Sequence, residues 1–317
     1  MSKYINRLTT KRQFSAVLGV TKEEFKKLLP AFSVFLQKKA EDDYQKSLST
    51  RKRKKRKPSA DSSEALKNDK DKLIFILRYL KSYPSFDDMG FTFEMGKTTA
   101  EDYVKLLLPV LREAEDSLEV LPKSTIESAE ELVQATENNV ILVDATERPH
   151  YRHKDRELQK KHYSGKQHRH TIKNTIISTE AKGIIYIGNT VPGSMHDYKL
   201  FKSEFSTQKD WFKYLKIVVD LGYKGIKKDY LFAENILIPH KKQRKSKNHP
   251  EPKLTDEQKK ENKKISKKRI YVENAISGMK RFQILVNRLR CKSDFIKDTV
   301  IRLAAGLFNL KNNFVVQ

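Results

Sequence analysis

The sequence predicts an α/β fold in which a mixed-sheet domain follows an all-helical region. Three observations carry this expectation. Up to about residue 136 the apolar residues recur at three- and four-residue spacing, the period of an amphipathic helix. From Asn138 the pattern changes to short β-branched runs, Val140-Ile141-Leu142-Val143 and Ile217-Val218-Val219, each closed by an aspartate, Asp144 and Asp220. Beyond residue 253 helical spacing returns and carries a third acid, Glu273, with Arg269 four residues before it and Lys280 seven after.

The first forty residues read as two short helices. Thr21-Lys22-Glu23-Glu24 is a capping box: the Thr21 hydroxyl caps the helix and Glu24 reaches back to the Thr21 N–H. Seven consecutive basic residues, Arg51 to Lys57, repel one another and cannot pack, so they form a solvated arm in which Arg51, Lys52 and Arg53 can lie on phosphates. A strong helix spans Asp71 to Lys81, with Leu73, Ile74, Leu77 and Leu80 on one face. A short helix from Ser85 to Phe91, a turn at Glu94-Met95-Gly96-Lys97 and a helix from Thr98 to Ala114 follow. The polar start of that last helix, Lys97, Thr98 and Thr99, suits a helix-turn-helix reading DNA, although Glu94, Glu101 and Asp102 would repel phosphates. Ser124 is expected to cap one more helix, ending near Thr136.

Strand Val140–Thr146 then leads into a hairpin-like stretch. The segments 170–178 and 183–190 read as strands, Ser194 begins a helix to about Phe205, and strands over 217–220 and 236–239 flank a short helix near Lys227. A basic loop from His240 to Lys253 precedes two helices. In the last of these Ile296, Val300, Leu303, Leu307 and Leu310 form a core stripe. The order β-β-β-α-β-α-β-α, with acids closing the first and fourth strands and a third acid on a late helix, is that of a ribonuclease-H-like domain.

Composition fits a polyanionic partner. The 317 residues carry 65 Lys+Arg against 40 Asp+Glu, a net charge of +25. The single cysteine, Cys291, excludes an intramolecular disulfide and a cysteine zinc cluster, and suits a reducing compartment. No apolar run approaches a membrane span, so an intracellular protein with no membrane partner is expected.

Two strand-end aspartates and a helix glutamate suit Mg²⁺, which prefers oxygen ligands and leaves coordination positions for substrate phosphates. Two such ions about 4 Å apart stabilise the attacking and leaving oxygens of an in-line displacement. Arg269, Glu273 and Lys280 share one helix face, with Lys280 about 10 Å along the axis from the glutamate. Val272, Ile276, Met279, Phe282 and Val286 form the neighbouring apolar stripe. Asp197 falls three residues after Ser194 and reads as a capping-box acid, so it and His196 are assigned supporting positions beside the three acids. Five of the eight histidines lie between His150 and His170. No cysteine or carboxylate accompanies them at a zinc-site spacing, whereas nine Lys/Arg share the segment from Arg148 to Lys173, which favours a DNA-facing hairpin over zinc. From Lys241 to Arg269, 13 basic residues face four acids, and Lys241 and Lys242 open a loop suited to clamping DNA.

The motifs Asp144-Ala145-Thr146-Glu147-Arg148-Pro149, Tyr163-Ser164-Gly165-Lys166, Pro192-Gly193-Ser194-Met195-His196-Asp197, Asp220-Leu221-Gly222-Tyr223-Lys224-Gly225 and Pro239-His240-Lys241-Lys242 occur in that order. Over about residues 70–315 the chain resembles the DDE transposases of bacterial insertion sequences, in the insertion-sequence-five group and its Harbinger relatives. Around the glutamate the family has Tyr, Arg, Glu and Lys at fixed spacing; here Ser266 stands at the tyrosine position. The resemblance implies that Asp144, Asp220 and Glu273 are catalytic and hold two Mg²⁺, with Mn²⁺ as a substitute, and that Arg269 and Lys280 hold phosphates. It implies hydrolysis of a phosphodiester at the element end, then attack of the freed 3′ hydroxyl on target DNA. The expected partners are double-stranded DNA, as element ends and target, and further copies of the chain on that DNA, in the bacterial cytoplasm at the nucleoid. The expected domains are 1–136, with the helix-turn-helix at about 71–114 and the basic arm at 51–57, and 137–317, catalytic, with a basic insertion at 240–255. A non-catalytic DNA-binding regulator and a nuclease without strand transfer remain open.

Overall fold

The computed structural model describes residues 8–50, 66–136, 138–242 and 253–316. The arm residues Arg51, Lys52 and Arg53 lie outside the described residues.

The chain opens with α1 (Lys11–Leu18) and α2 (Lys22–Thr50). The expected capping box starts α2: the Thr21 N–H donates to Glu24 Oε2 at 2.7 Å, and the Glu24 N–H to Thr21 Oγ1 at 3.2 Å. The two short helices expected here become one short and one of 29 residues, because α2 runs on through Pro30. Next come α3 (Asp69–Ser82), α4 (Phe86–Phe93) and α5 (Lys97–Ser117), capped by Asn68, Ser85 and Gly96. Their order is that of the expected helix-turn-helix, with ends shifted by one to three residues and α5 running on to Ser117.

A mixed-sheet unit follows. It begins with α6 (Ala129–Gln134), whose cap is Ser128 and not the expected Ser124. Strand β1 (Val140–Pro149) is followed by α7 (Arg156–His162), β2 (Tyr163–Ser164), β3 (Arg169–Thr179), β4 (Ile184–Ile187) and β5 (Val191–Pro192). Helix α8 (Asp197–Glu204), β6 (Lys216–Val218), α9 (Ile226–Asp229), β7 (Ile236–Leu237) and α10 (Asp256–Met279) complete the unit. The sheet order is β2-β3-β1-β6-β7, with β4 and β5 also pairing β3. β1 is antiparallel to β3 and parallel to β6, which is parallel to β7. This is the mixed α/β architecture the sequence predicts.

Helix α7 stands where only a hairpin is expected. It has one apolar residue, Leu158, and so no hydrophobic period to betray it; the Asp155 side chain caps it, accepting from the Leu158 N–H at 2.8 Å. Helix α8 starts three residues later than expected. His196, not Ser194, is its cap, and Asp197 is its first residue.

The chain ends in α11 (Asp294–Lys311), which buries Val300, Leu303, Leu307 and Leu310 as expected. The division of the chain differs from the expected one after residue 136. Met279–Val315 groups with the N-terminal helices up to Leu121, and Pro122–Gly278 forms the second unit. The helical unit is therefore assembled from both ends of the sequence. Within it, the Asn309 side-chain amide donates to the Val120 carbonyl at 2.9 Å, and the fully buried Glu115 carboxyl lies against Gly306. Among the described residues no helix is long and apolar enough to cross a membrane.

Candidate active site

Asp144 lies in the middle of β1, not at its end. β1 pairs with β3 from Ile141 to Pro149, but with β6 only from Val140 to Leu142. Beyond Leu142 the β6 side of β1 is open, and Asp144 sits at that opening. Leu142 is level with Val218, so two residues further on Asp144 and Asp220 leave the same end of neighbouring parallel strands.

Asp220 is set by its own turn. Its carboxylate accepts the Gly222 N–H at 2.7 Å and caps the 3₁₀ turn Leu221–Tyr223. A side-chain carbon at Gly222 would stand 2.8 Å from Asp220 Oδ1, so glycine leaves room for that carboxylate; Asp197 Oδ2 would lie at ordinary contact distance, 3.5 Å. Helix α10 brings the third acid. Ile265, Val272 and Ile276 pack on Val140 and Leu142 of β1, Val218 of β6 and Leu237 of β7, which docks the helix on the sheet. Glu273 follows Val272 and is half-exposed.

Arg269 joins two of the acids. Its guanidinium is 3.9 Å from Asp144 Oδ2 and 3.4 Å from Glu273 Oε1. Burial pushes the Asp144 carboxyl up to about 6; the neighbouring charges of Asp220 and Asp197 add to the rise, while the Ala145 N–H and Arg269 oppose it. Tyr223, fully buried among these acids, is also held above the usual phenol range, chiefly by desolvation.

Asp197 is held by a residue that sequence reasoning missed. Lys173 Nζ lies 2.7 Å from Asp197 Oδ1 and 3.5 Å from Glu147 Oε1, and donates to the Met195 carbonyl at 2.6 Å. The β1–β3 register places Lys173 opposite Glu147, and it is 6% exposed. Lys173 therefore does not face DNA as expected. Neither does Arg148, which is buried and donates to Asn174 and Thr190. Only the strand register could have revealed these two roles.

His196 is exposed and serves as the α8 cap. Lys241 and Lys242 are exposed just past His240, whose backbone is pinned to α10 by the Asn262 amide at 2.7 and 3.0 Å. Lys97, Thr98 and Thr99 are exposed in the first turn of α5, with Lys97 3.3 Å from Asp87. Lys280 departs from expectation. Helix α10 stops at Met279, so Lys280 occupies the following turn, and no helical geometry fixes it on the Glu273 face. Phe282 and Val286 likewise leave the proposed α10 stripe; Phe282 is buried after the helix end and Val286 is exposed.

The family model described as DDE superfamily endonuclease matches residues 143–309 and so spans all three acids. The chain belongs to the DDE superfamily endonucleases. A second model, the helix-turn-helix of DDE superfamily endonuclease, matches residues 65–114, which contain α3, α4 and most of α5. This DDE endonuclease is therefore a DNA-binding protein with a dedicated helical reader. It is 27% identical over 286 residues to a protein of Microchaete diplosiphon named as a probable transposase for insertion sequence element IS702, covering 89% of this chain and 88% of the relative. No solved structure matches the chain significantly.

Proposed function

We propose that the protein is an insertion-sequence transposase, with Asp144, Asp220 and Glu273 as its catalytic carboxylates. The observation that carries this reading is that Asp144 and Asp220 leave the same end of neighbouring parallel strands, while Arg269 links Asp144 to Glu273 on the sheet-docked helix. The match to the endonuclease family and the likeness to a named transposase support it.

The donor set fits hard divalent cations. It is all oxygen, and the burial that, with the neighbouring charges of Asp220 and Asp197, lifts Asp144 to about 6 would be offset by positive charge. Mg²⁺ is the physiological choice in this reading, with Mn²⁺ as a substitute. Bound there, two such ions would activate the attacking oxygen and stabilise the leaving one. The chain's own residues do the positioning. The Gly222 N–H fixes one Asp220 oxygen, Lys173 keeps Asp197 beside the acids, and Arg269 offers a planar fork to a phosphate at the mouth. The exposed start of α5 and the basic residues Lys241 and Lys242 would hold element-end duplex, and the 3′ hydroxyl freed by hydrolysis would attack target DNA. Copies of the chain would assemble on that DNA, in the bacterial cytoplasm at the nucleoid.

The test is an alanine series on a duplex bearing the element end. Asp144→Ala, Asp220→Ala and Glu273→Ala should each abolish cleavage with Mg²⁺ while keeping end binding; a cleaving variant removes its residue from the set. Strand-transfer products separate a transposase from a plain nuclease.

A further inference from the structure

We propose that His150, His153 and His162 form a binding site for a transition-metal ion, Zn²⁺ above all, that fastens α7 to the end of β1. By sequence alone zinc is disfavoured, because no cysteine or carboxylate accompanies these histidines. The fold removes that objection by bringing three imidazoles together from separate elements. His150 directly follows β1, His153 lies in the loop, and His162 is the last residue of α7. One donor nitrogen from each lies within 4.8 Å of the others.

Three features suit a metal. The first is distance. Tetrahedral zinc with Zn–N bonds of about 2.0–2.1 Å holds its nitrogens about 3.3 Å apart, so small side-chain rotations close the set. The rings are already adjacent, with centroids 4.3 Å apart for His153 and His162 and 5.1 Å for His150 and His162. The second is orientation. His162 Nδ1 is 2.9 Å from the Leu158 carbonyl oxygen, which can only accept, so Nδ1 carries the proton and Nε2 keeps its lone pair. The third is chemistry. Imidazole selects zinc and its neighbours, whereas magnesium prefers oxygen, so this site and the three carboxylates would sort their ions by donor type. Three protein ligands leave the fourth position for water.

The histidines span the segment between β1 and β3, which holds α7 and most of the basic residues between Arg148 and Lys173. That segment has few apolar residues of its own, and an ion would supply its anchor.

The experiment uses the full chain without a polyhistidine tag, stripped with chelator and kept in excess Mg²⁺. Zn²⁺ is titrated by calorimetry, and Co²⁺ by the visible bands that a tetrahedral site gives. The wild type should bind one Zn²⁺ per chain and gain several degrees in Tm. His153→Ala, in a half-exposed loop position that spares the fold, and His162→Ala should each weaken binding at least about tenfold and abolish the Tm gain. Asp220→Ala should bind Zn²⁺ as the wild type does. The proposal fails if the stripped wild type takes up no Zn²⁺, or if uptake survives both histidine changes and is lost in Asp220→Ala. None of these readouts involves DNA cleavage, so they stand apart from the proposed activity.

Discussion

At the scale of single residues, the organisation beside the acids rests on Lys173. It is almost fully buried and answers two carboxylates and a carbonyl. Removing one partner of a buried pair leaves the other charge uncompensated, so Lys173→Met should cost roughly 3 kcal/mol in urea unfolding. The double variant Lys173→Met/Asp197→Leu should recover part of that loss, and its failure to do so would show that Asp197 is not the main partner. Asp197→Ala alone should keep measurable cleavage, as fits a supporting acid. Gly222→Ala tests the crowding directly. The new methyl would stand 2.8 Å from Asp220 Oδ1, and displacing that carboxylate by about 1 Å should cut cleavage about 100-fold while the circular dichroism stays native. The proposed acids Asp144, Asp220 and Glu273 stand out in the sequence because local patterns mark them: an apolar run before each aspartate, and a four-residue step from Arg269. Lys173 and the three histidines do not, since their neighbours are set by strand register and by a helix without an apolar face.

At the scale of elements, α5 carries a cost that its sequence conceals. Glu115 is fully buried against Gly306 of α11. Desolvation raises its pKa well above the usual glutamate value. A carboxyl whose folded pKa is raised contributes its stability below the unfolded pKa and loses it as pH rises through the folded pKa. The wild type should therefore lose stability as pH rises from about 4.5, and Glu115→Gln should flatten that slope and be the more stable of the two at neutral pH. Thermal unfolding from pH 4 to 8 checks this, and parallel curves for the two proteins would refute it. Helix positions were the most legible part of the fold, because the Thr21 cap and the apolar periods are local. The ends of α8 and α10 were less so. The turn Pro192–Met195 delays α8, and nothing in the apolar stripe announces that α10 stops at Met279.

At the scale of the whole molecule, the helical unit draws on both ends of the chain. The sequence showed that α11 has a buried face but not what it is buried against, so a cut after residue 136 looked natural. A fragment of residues 1–136 lacks α11 and exposes the α5 surface around Glu115 that Gly306 covers. It should aggregate or melt at least 10 °C below the intact protein, as gel filtration and circular dichroism would report; a monomeric, cooperatively folding fragment would contradict this. In the full chain, deleting Arg51–Lys57 should weaken binding to end and scrambled duplexes alike. It should also reduce the salt slope by about 0.9 for each phosphate that the arm no longer neutralises. A weakening confined to end DNA would mean that the arm reads sequence.

The two-ended helical unit also has a consequence in time. Domains begin to fold as they leave the ribosome, N-terminal parts first. Here α1 to α5 emerge early but must wait for Leu303, Leu307 and Leu310 before their core is complete. DNA reading is thereby tied to translation as far as Lys311. A product cut short by a nonsense codon or frameshift should lack a finished reader, and is expected to compete poorly for DNA with the intact enzyme.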